Sequence, residues 1–202
     1  VATLLDGDFA PLGNALGFIE APIDAVLDAE RKWRDALGAQ YDVAPAGQLP
    51  AAFDALRPLQ TPWSRQLFVA VGKWTMYINN GRQGGDPVPS VGVLSQRLSC
   101  VGVVAVCSVN PPHASTQFQL LGPNGKPPLR YIRTLAAYCE DGRWQWHATG
   151  LVQPFEDPDR YLARRIRHRL DRPLLVAYLA ALGIHVDDSP SFGDAVAISL
   201  SR

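Results

Sequence analysis

Asp141-Gly142 separates two strand-like runs, 130–140 and 143–152, and restricts its neighbours more tightly than any other dipeptide in the chain. A type I′ turn needs positive φ at both central positions, which Asp tolerates and Gly adopts freely, so the pair marks a two-residue β-hairpin. That turn fixes the register: Cys139 opposite Trp144, Ala137 opposite Trp146, Leu135 opposite Ala148 and Arg133 opposite Gly150. These residues share one face, which is the core face because a strand alternates with period two. Thr134, Ala136, Tyr138, Gln145, His147 and Thr149 share the other, a mixture suited to half exposure. Arg133 on a core face needs a carboxylate partner, and Glu30 is a candidate.

A second hairpin turns at Gly72-Lys73, where Gly suits the first position of a II′ turn. Trp74, Met76 and Ile78 fall on one face of its second strand; Thr75, Tyr77 and Asn79 fall on the other, leading into a glycine-rich loop that reaches Asp86. Further strands are expected at 16–19, 101–109 (apolar throughout and so buried on both faces), 117–121 and, at an edge, 195–200. Pro22 opens a helix to about Leu37 that Gly38 ends, with Ile23, Val26, Leu27, Trp33 and Leu37 as its apolar stripe. Glu30 projects onto the middle of that stripe and Arg34 onto its edge, so Glu30 is expected against an arginine, Arg34 or Arg133. Residues 40–50 have loop composition, and a short helix follows at 50–56. Helices are also expected at 90–98, 159–170 and 172–182, the last capped by Asp171.

With no repeat and no linker, residues 1–202 read as one α+β domain: a mainly antiparallel sheet of five to seven strands with helices packed against it. Formal charge is zero, with 19 basic and 19 acidic residues, which argues against a dedicated nucleic-acid or membrane-surface binder. The basic residues are 16 Arg and 3 Lys, a skew that with the Ala, Gly and Pro content reads as a GC-rich bacterial genome. Three cysteines, odd in number and set in apolar runs, fit buried free thiols of a reducing compartment. No run has the length of a membrane span and no signal-peptide pattern is present, so the expected location is the cytoplasm. The chain opens at Val1, which leaves a removed leader open.

No catalytic signature is found. Cys100, Cys107, His113 and Cys139 lack zinc-ligand spacing, no nucleophile elbow is present, and the Gly81–Gly85 region lacks the Lys-Ser/Thr end of a phosphate loop. The expectation is therefore no catalytic residue, no metal and no cofactor. Two stretches carry binding chemistry. In the first, Tyr77, Asn79, Asn80, Arg82 and Asp86 combine adaptable polar groups with an aromatic anchor, as protein-recognition surfaces do. In the second, the expected helix 159–170 has a basic side of Arg160, Arg164, Arg165, Arg167 and His168 with Tyr161 among them. An exposed Tyr flanked by Arg has the chemistry of an interface hot spot and also of a base-stacking platform; the plain alternative is a solvated face.

Three segments carry a resemblance: Trp74-Thr-Met-Tyr-Ile-Asn-Asn-Gly-Arg82, Arg143-Trp-Gln-Trp146, and Phe155-Glu-Asp-Pro-Asp-Arg-Tyr161 followed by Arg164-Arg-Ile-Arg-His-Arg-Leu170. Over about residues 15–185 the chain resembles a family of uncharacterised bacterial proteins from GC-rich genomes. In general character it is similar to immunity proteins that neutralise secreted bacterial toxins. The resemblance implies a non-catalytic module that binds a cognate toxin, with Tyr77, Asn79, Asn80, Arg82, Asp86, Tyr161, Arg164, Arg165 and His168 as the candidate contact residues. The alternative is a small-molecule-binding protein or enzyme with a pocket near Trp144, Trp146, Tyr131 and Arg133. Nucleic-acid binding through the basic stretch is a third reading.

Overall fold

The protein is described here by a computed structural model, which covers residues 3–5, 9–109, 113–187 and 192–201. Strands are β1 (Ala15–Ile19), β2 (Tyr41–Gly47), β3 (Arg65–Val71), β4 (Trp74–Asn79), β5 (Gly102–Ser108), β6 (Ser115–Lys126), β7 (Tyr131–Glu140), β8 (Arg143–Gly150) and β9 (Phe192–Leu200). Among the described residues they form one antiparallel nine-stranded sheet in the order β2-β9-β3-β4-β1-β5-β6-β7-β8. The α+β class and the antiparallel pairing are as the sequence implies, but the sheet is larger than five to seven strands.

Both hairpins are present. Val71 faces Trp74 across Gly72, which has φ 57°, and Glu140 faces Arg143 across Asp141 and Gly142, with φ 50° and 75°. The β7–β8 register matches the expectation from Arg133–Gly150 through Cys139–Trp144. Two strand assignments differ. The loop-like stretch 40–50 contains β2, a half-exposed edge strand whose Pro45 sits beside a register shift, where a missing N–H is tolerated. β9 is not an edge strand but pairs with both β2 and β3.

One face of the sheet is covered by α1 (Ile23–Ala36) and α2 (Val88–Leu98), which bury Val26, Leu27, Val91 and Leu94 against Ile19, Phe68, Val104 and Ile198. The opposite face carries Leu16, Phe18, Leu67, Trp74, Met76, Phe118 and Leu135 under α3 (Arg172–Ala181) and the turn 51–56. Each large apolar side chain so buried contributes roughly 1.5–3 kcal/mol, which makes the two-sided core the main stabilising term. Asp171 caps α3 by accepting from Leu174 N at 3.1 Å. The α1/α2 layer stops short of β7 and β8, so Thr134, Tyr138, Gln145, His147 and Thr149 form an open polar sheet face.

Glu30 lies against Arg34, one of its two expected partners: Arg34 Nε donates to Glu30 Oε1 at 2.6 Å, and both side chains are buried. The guanidinium also stands over the Trp33 ring, 4.3 Å from its centroid, and within 5.7 Å of Trp63. Arg133 takes a different carboxylate, Glu156, and not Glu30.

Candidate protein-binding surface

The exit of the central hairpin is built from side chains expected to form a protein-recognition surface. β4 lies in the interior of the sheet with layers on both sides, so Tyr77, Asn79 and Asn80 are at most 1% exposed. Their expected solvent-facing placement is corrected accordingly. Tyr77 sits among Phe68 and the α1/α2 layer, its hydroxyl 3.0 Å from Ser90 Oγ. Burial pushes its phenol up to about 12. Asn79 Oδ1 accepts from Gly81 N at 3.0 Å, while Asn80 Oδ1 accepts from Ser64 N and Arg65 N, both at 2.9 Å. Asn80 Nδ2 donates to Pro58 O at 2.8 Å. These bonds hold the loop as part of the scaffold. Gly85 is required there: its φ is 68°, and a β-carbon would overlap the Asn79 amide. Arg82 and Asp86 are the members of this group that reach solvent, and Asp86 Oδ1 accepts from Val88 N at 2.9 Å at the start of α2.

The basic stretch is not the expected α-helix 159–170. It is two 3-10 turns, Pro158–Leu162 and Ile166–His168, joined through an extended Arg165. Side chains take carbonyls that a helix would need: Arg169 Nε donates to Ala163 O at 2.9 Å, and Arg160 Nη2 lies 3.4 Å from His168 O. Arg160, Arg164, Arg165, Arg167 and His168 are exposed. Arg160 pairs with Asp171 at 2.9 Å, whereas Arg164, Arg165 and Arg167 make no ion pair with a described residue.

Tyr161 is not among the exposed residues. Its hydroxyl donates to Glu156 Oε2 at 2.7 Å and is 2.9 Å from the Tyr178 hydroxyl, while its ring packs on Trp146 with centroids 5.2 Å apart. Glu156 also accepts from Arg133 Nε at 2.9 Å, from Arg133 Nη2 at 2.7 Å and from Gln153 N at 2.8 Å. Arg133 Nη1 donates to Gly150 O at 3.2 Å, so the chain opposite the arginine supplies a further acceptor. Burial works to lower the arginine's pKa, but the hydrogen bonds and charge of Glu156 outweigh it and raise it. Burial, with the bonds to Tyr178 and Glu156, raises the Tyr161 phenol well above its ordinary range. This satisfied network ties β7 and β8 to 153–178 and fixes the arginine-bearing turns on the fold. Glu156 was legible only as part of a motif, because a carboxylate distant in sequence gives no pattern with Arg133.

The alternative pocket residues do not share one cleft. Leu120 pairs with Arg133 and Leu121 with Tyr131, so Ile132 is an extra residue in β7. This bulge turns Tyr131 towards the α2 side, among Leu121 and Leu129. Trp144 and Trp146 stay with Arg133 on the opposite side, packed against the core under α3. A 400 Å³ cleft does join Tyr131, Arg133, Thr149 and Leu151, but without either tryptophan. Among the described residues no group of three or more His, Cys, Asp or Glu is placed to hold a metal ion, and no helix is long and apolar enough to cross a membrane.

Fold and surface together define an α+β protein with a double-sided antiparallel sheet and a pinned arginine-rich turn region. No family, no characterised protein and no solved structure matches the chain.

Proposed function

We propose that the protein is a non-catalytic binding module for an acidic protein surface, and that its partner is a secreted bacterial toxin which it neutralises as an immunity protein. The observation that carries the reading is the fixed display of Arg164, Arg165 and Arg167: exposed, without ion-pair partners among the described residues, on turns anchored by the Glu156 network. A partner carboxylate meeting these groups gains charge-assisted, bidentate hydrogen bonds, and the anchoring reduces the ordering cost of binding. Arg82 and Asp86 are proposed as a second contact region; Tyr77, Asn79, Asn80 and Tyr161 support the surface from beneath.

The test is a search for a toxin gene adjacent to this one and co-expression with it, followed by size-exclusion chromatography and affinity measurement; the absence of any adjacent toxin gene contradicts the reading. The reading expects survival of the host, a stable complex without turnover of any toxin substrate, and a loss of at least about 2 kcal/mol, roughly 30-fold, in Arg164→Ala/Arg165→Ala with an unchanged melting curve. Rescue through chemical destruction of a toxin product, or full affinity in the double variant, contradicts it. A nucleic-acid binder would instead bind oligonucleotides with a steep salt dependence.

A further inference from the structure

A second cleft, of 420 Å³, opens where the start of α2 meets the sheet, and its lining is unusually rich in amides. Asn14, Gln83, Gln117 and Gln119 face it together with Asp86, Ser108 and Tyr131, while Ala15, Pro87, Val88 and Val106 supply apolar surface. The placement follows from the register. Ala15 pairs with Val106, Val106 with Gln117, and Val104 with Gln119, so these alternate positions of β1, β5 and β6 face the α2 side. The bulge at Ile132 adds Tyr131 to the same side.

One buried polar atom here, Gln119 Oε1, lacks the protein partner that burial ordinarily demands. Asn14 is 6% exposed and lines the cleft. Gly84 lies beside its β-carbon, with no room there for a side chain. Gln119 Oε1 is buried without a donor, although its Nε2 reaches Gln117 Oε1 at 3.5 Å and Gln117 Nε2 donates to Ser115 Oγ at 2.7 Å. Asp86 uses one oxygen on Val88 N and leaves the other without a described donor. The cleft thus combines the Asn14 amide, the buried and unpartnered Gln119 Oε1 and the second oxygen of the exposed Asp86 carboxylate.

The chemistry of the lining restricts the ligand. Among the described residues no Arg, Lys or His borders the cleft, which disfavours phosphates and carboxylates. One carboxylate, half engaged by the backbone, is weak recognition for a cation. Extended peptides are ordinarily bound by pairing to a free strand edge, but β1, β5 and β6 are interior strands whose backbone is already paired. Amides that both donate and accept, beside a tyrosine ring and apolar patches, suit a compact ligand whose hydroxyls also do both and whose C–H faces are apolar. We propose that this cleft binds an uncharged saccharide, with Asn14, Gln119 and Asp86 on its hydroxyls and Tyr131 against its ring. This site lies apart from the arginine turns, and it shares Asp86 with the proposed second contact region.

The test is NMR titration of the full chain with glucose, galactose, N-acetylglucosamine and maltose, following side-chain amide and Tyr131 resonances. Glucose 6-phosphate, lysine and triglycine are the comparison probes. The expected result is saturable shifts at Asn14, Gln117, Gln119 and Tyr131 with at least one neutral sugar, and weaker binding of the comparison probes. Asn14→Ala and Gln119→Ala should each weaken that sugar about tenfold. Gln117→Ala, on the open side of the sheet, should weaken it while leaving the melting temperature unchanged, which covers an unfolded Asn14 variant. No shift with any of the four sugars overturns the proposal, as do shifts confined to another surface, tighter binding of glucose 6-phosphate, lysine or triglycine at this cleft, or undiminished affinity in the folded variants.

Discussion

Replacing Glu156 by Ala tests the network that fixes the arginine turns. Its side chain is 0% exposed and that of Arg133 is 5% exposed, so solvent cannot take over the carboxylate's role. Removing it leaves a buried guanidinium without a counter-charge, a loss of about 3–5 kcal/mol. The Gln153 N–H, which donates to the same carboxylate at 2.8 Å, loses its acceptor for about 1 kcal/mol more. Tyr161 keeps Tyr178 as a partner and adds little. The total, about 4–6 kcal/mol, is a large share of the 5–15 kcal/mol typical of a folded domain. Urea melts followed by tryptophan fluorescence read it, with Trp146 packed on Tyr161 as a local reporter. Arg133→Met/Glu156→Leu, which removes both charges, should be more stable than Glu156→Ala because no buried charge is then left alone. A loss below about 1 kcal/mol in Glu156→Ala, or a double variant less stable than Glu156→Ala, would mean that the Arg133 guanidinium does not depend on this carboxylate.

Three further outcomes are expected. Trp74→Ala should cost about 3–5 kcal/mol in a denaturant melt, since Trp74 is buried and its Nε1 donates to Leu182 O at 3.1 Å, whereas half-buried Trp144→Ala should cost less; equal losses would contradict the core assignment. Gln66 is fully buried with neither amide atom hydrogen-bonded, so Gln66→Met should raise stability by about 1–3 kcal/mol; a loss would mean that the amide has a partner such as an internal water. Tyr77 stays protonated in the fold up to about 12 while the unfolded chain's tyrosine ionises near 10, so the unfolded state loses its proton first. Its contribution is therefore complete below pH 10 and falls by about 1.4 kcal/mol per unit between pH 10 and 12, and Tyr77→Phe should show a shallower alkaline decline; identical slopes in the two proteins would argue against this burial effect.

Local chemistry made much of the fold legible. Asp141-Gly142 and Gly72-Lys73 set two hairpins, and the α1 stripe placed Glu30 beside Arg34, because these relations depend on neighbours in sequence. What was missed depends on distant partners. Alternation in β4 correctly separated Trp74 from Tyr77, but a strand with layers on both faces buries both rows, so Tyr77 and Asn79 became scaffold. The periodicity of 159–170 is helical, yet Tyr161 binds Glu156 and Tyr178 while Arg169 takes the Ala163 carbonyl, and these tertiary bonds replace the helix with 3-10 turns. The bulge at Ile132 has no turn residue to announce it, and it alone moves Tyr131 to the other side of the sheet. Asn14 carried no signal at all: a single amide before a short strand acquires meaning only when β5, β6 and α2 enclose it.

The proposal that the pinned arginine turns meet a protein partner is probed by hydrogen–deuterium exchange on the complex purified after co-expression with an adjacent toxin gene. Slowed exchange in 157–168, with a second footprint at 82–86, is the result expected of that surface. A stable complex in which 157–168 exchanges as fast as in the free protein, with protection confined to another face, would contradict it.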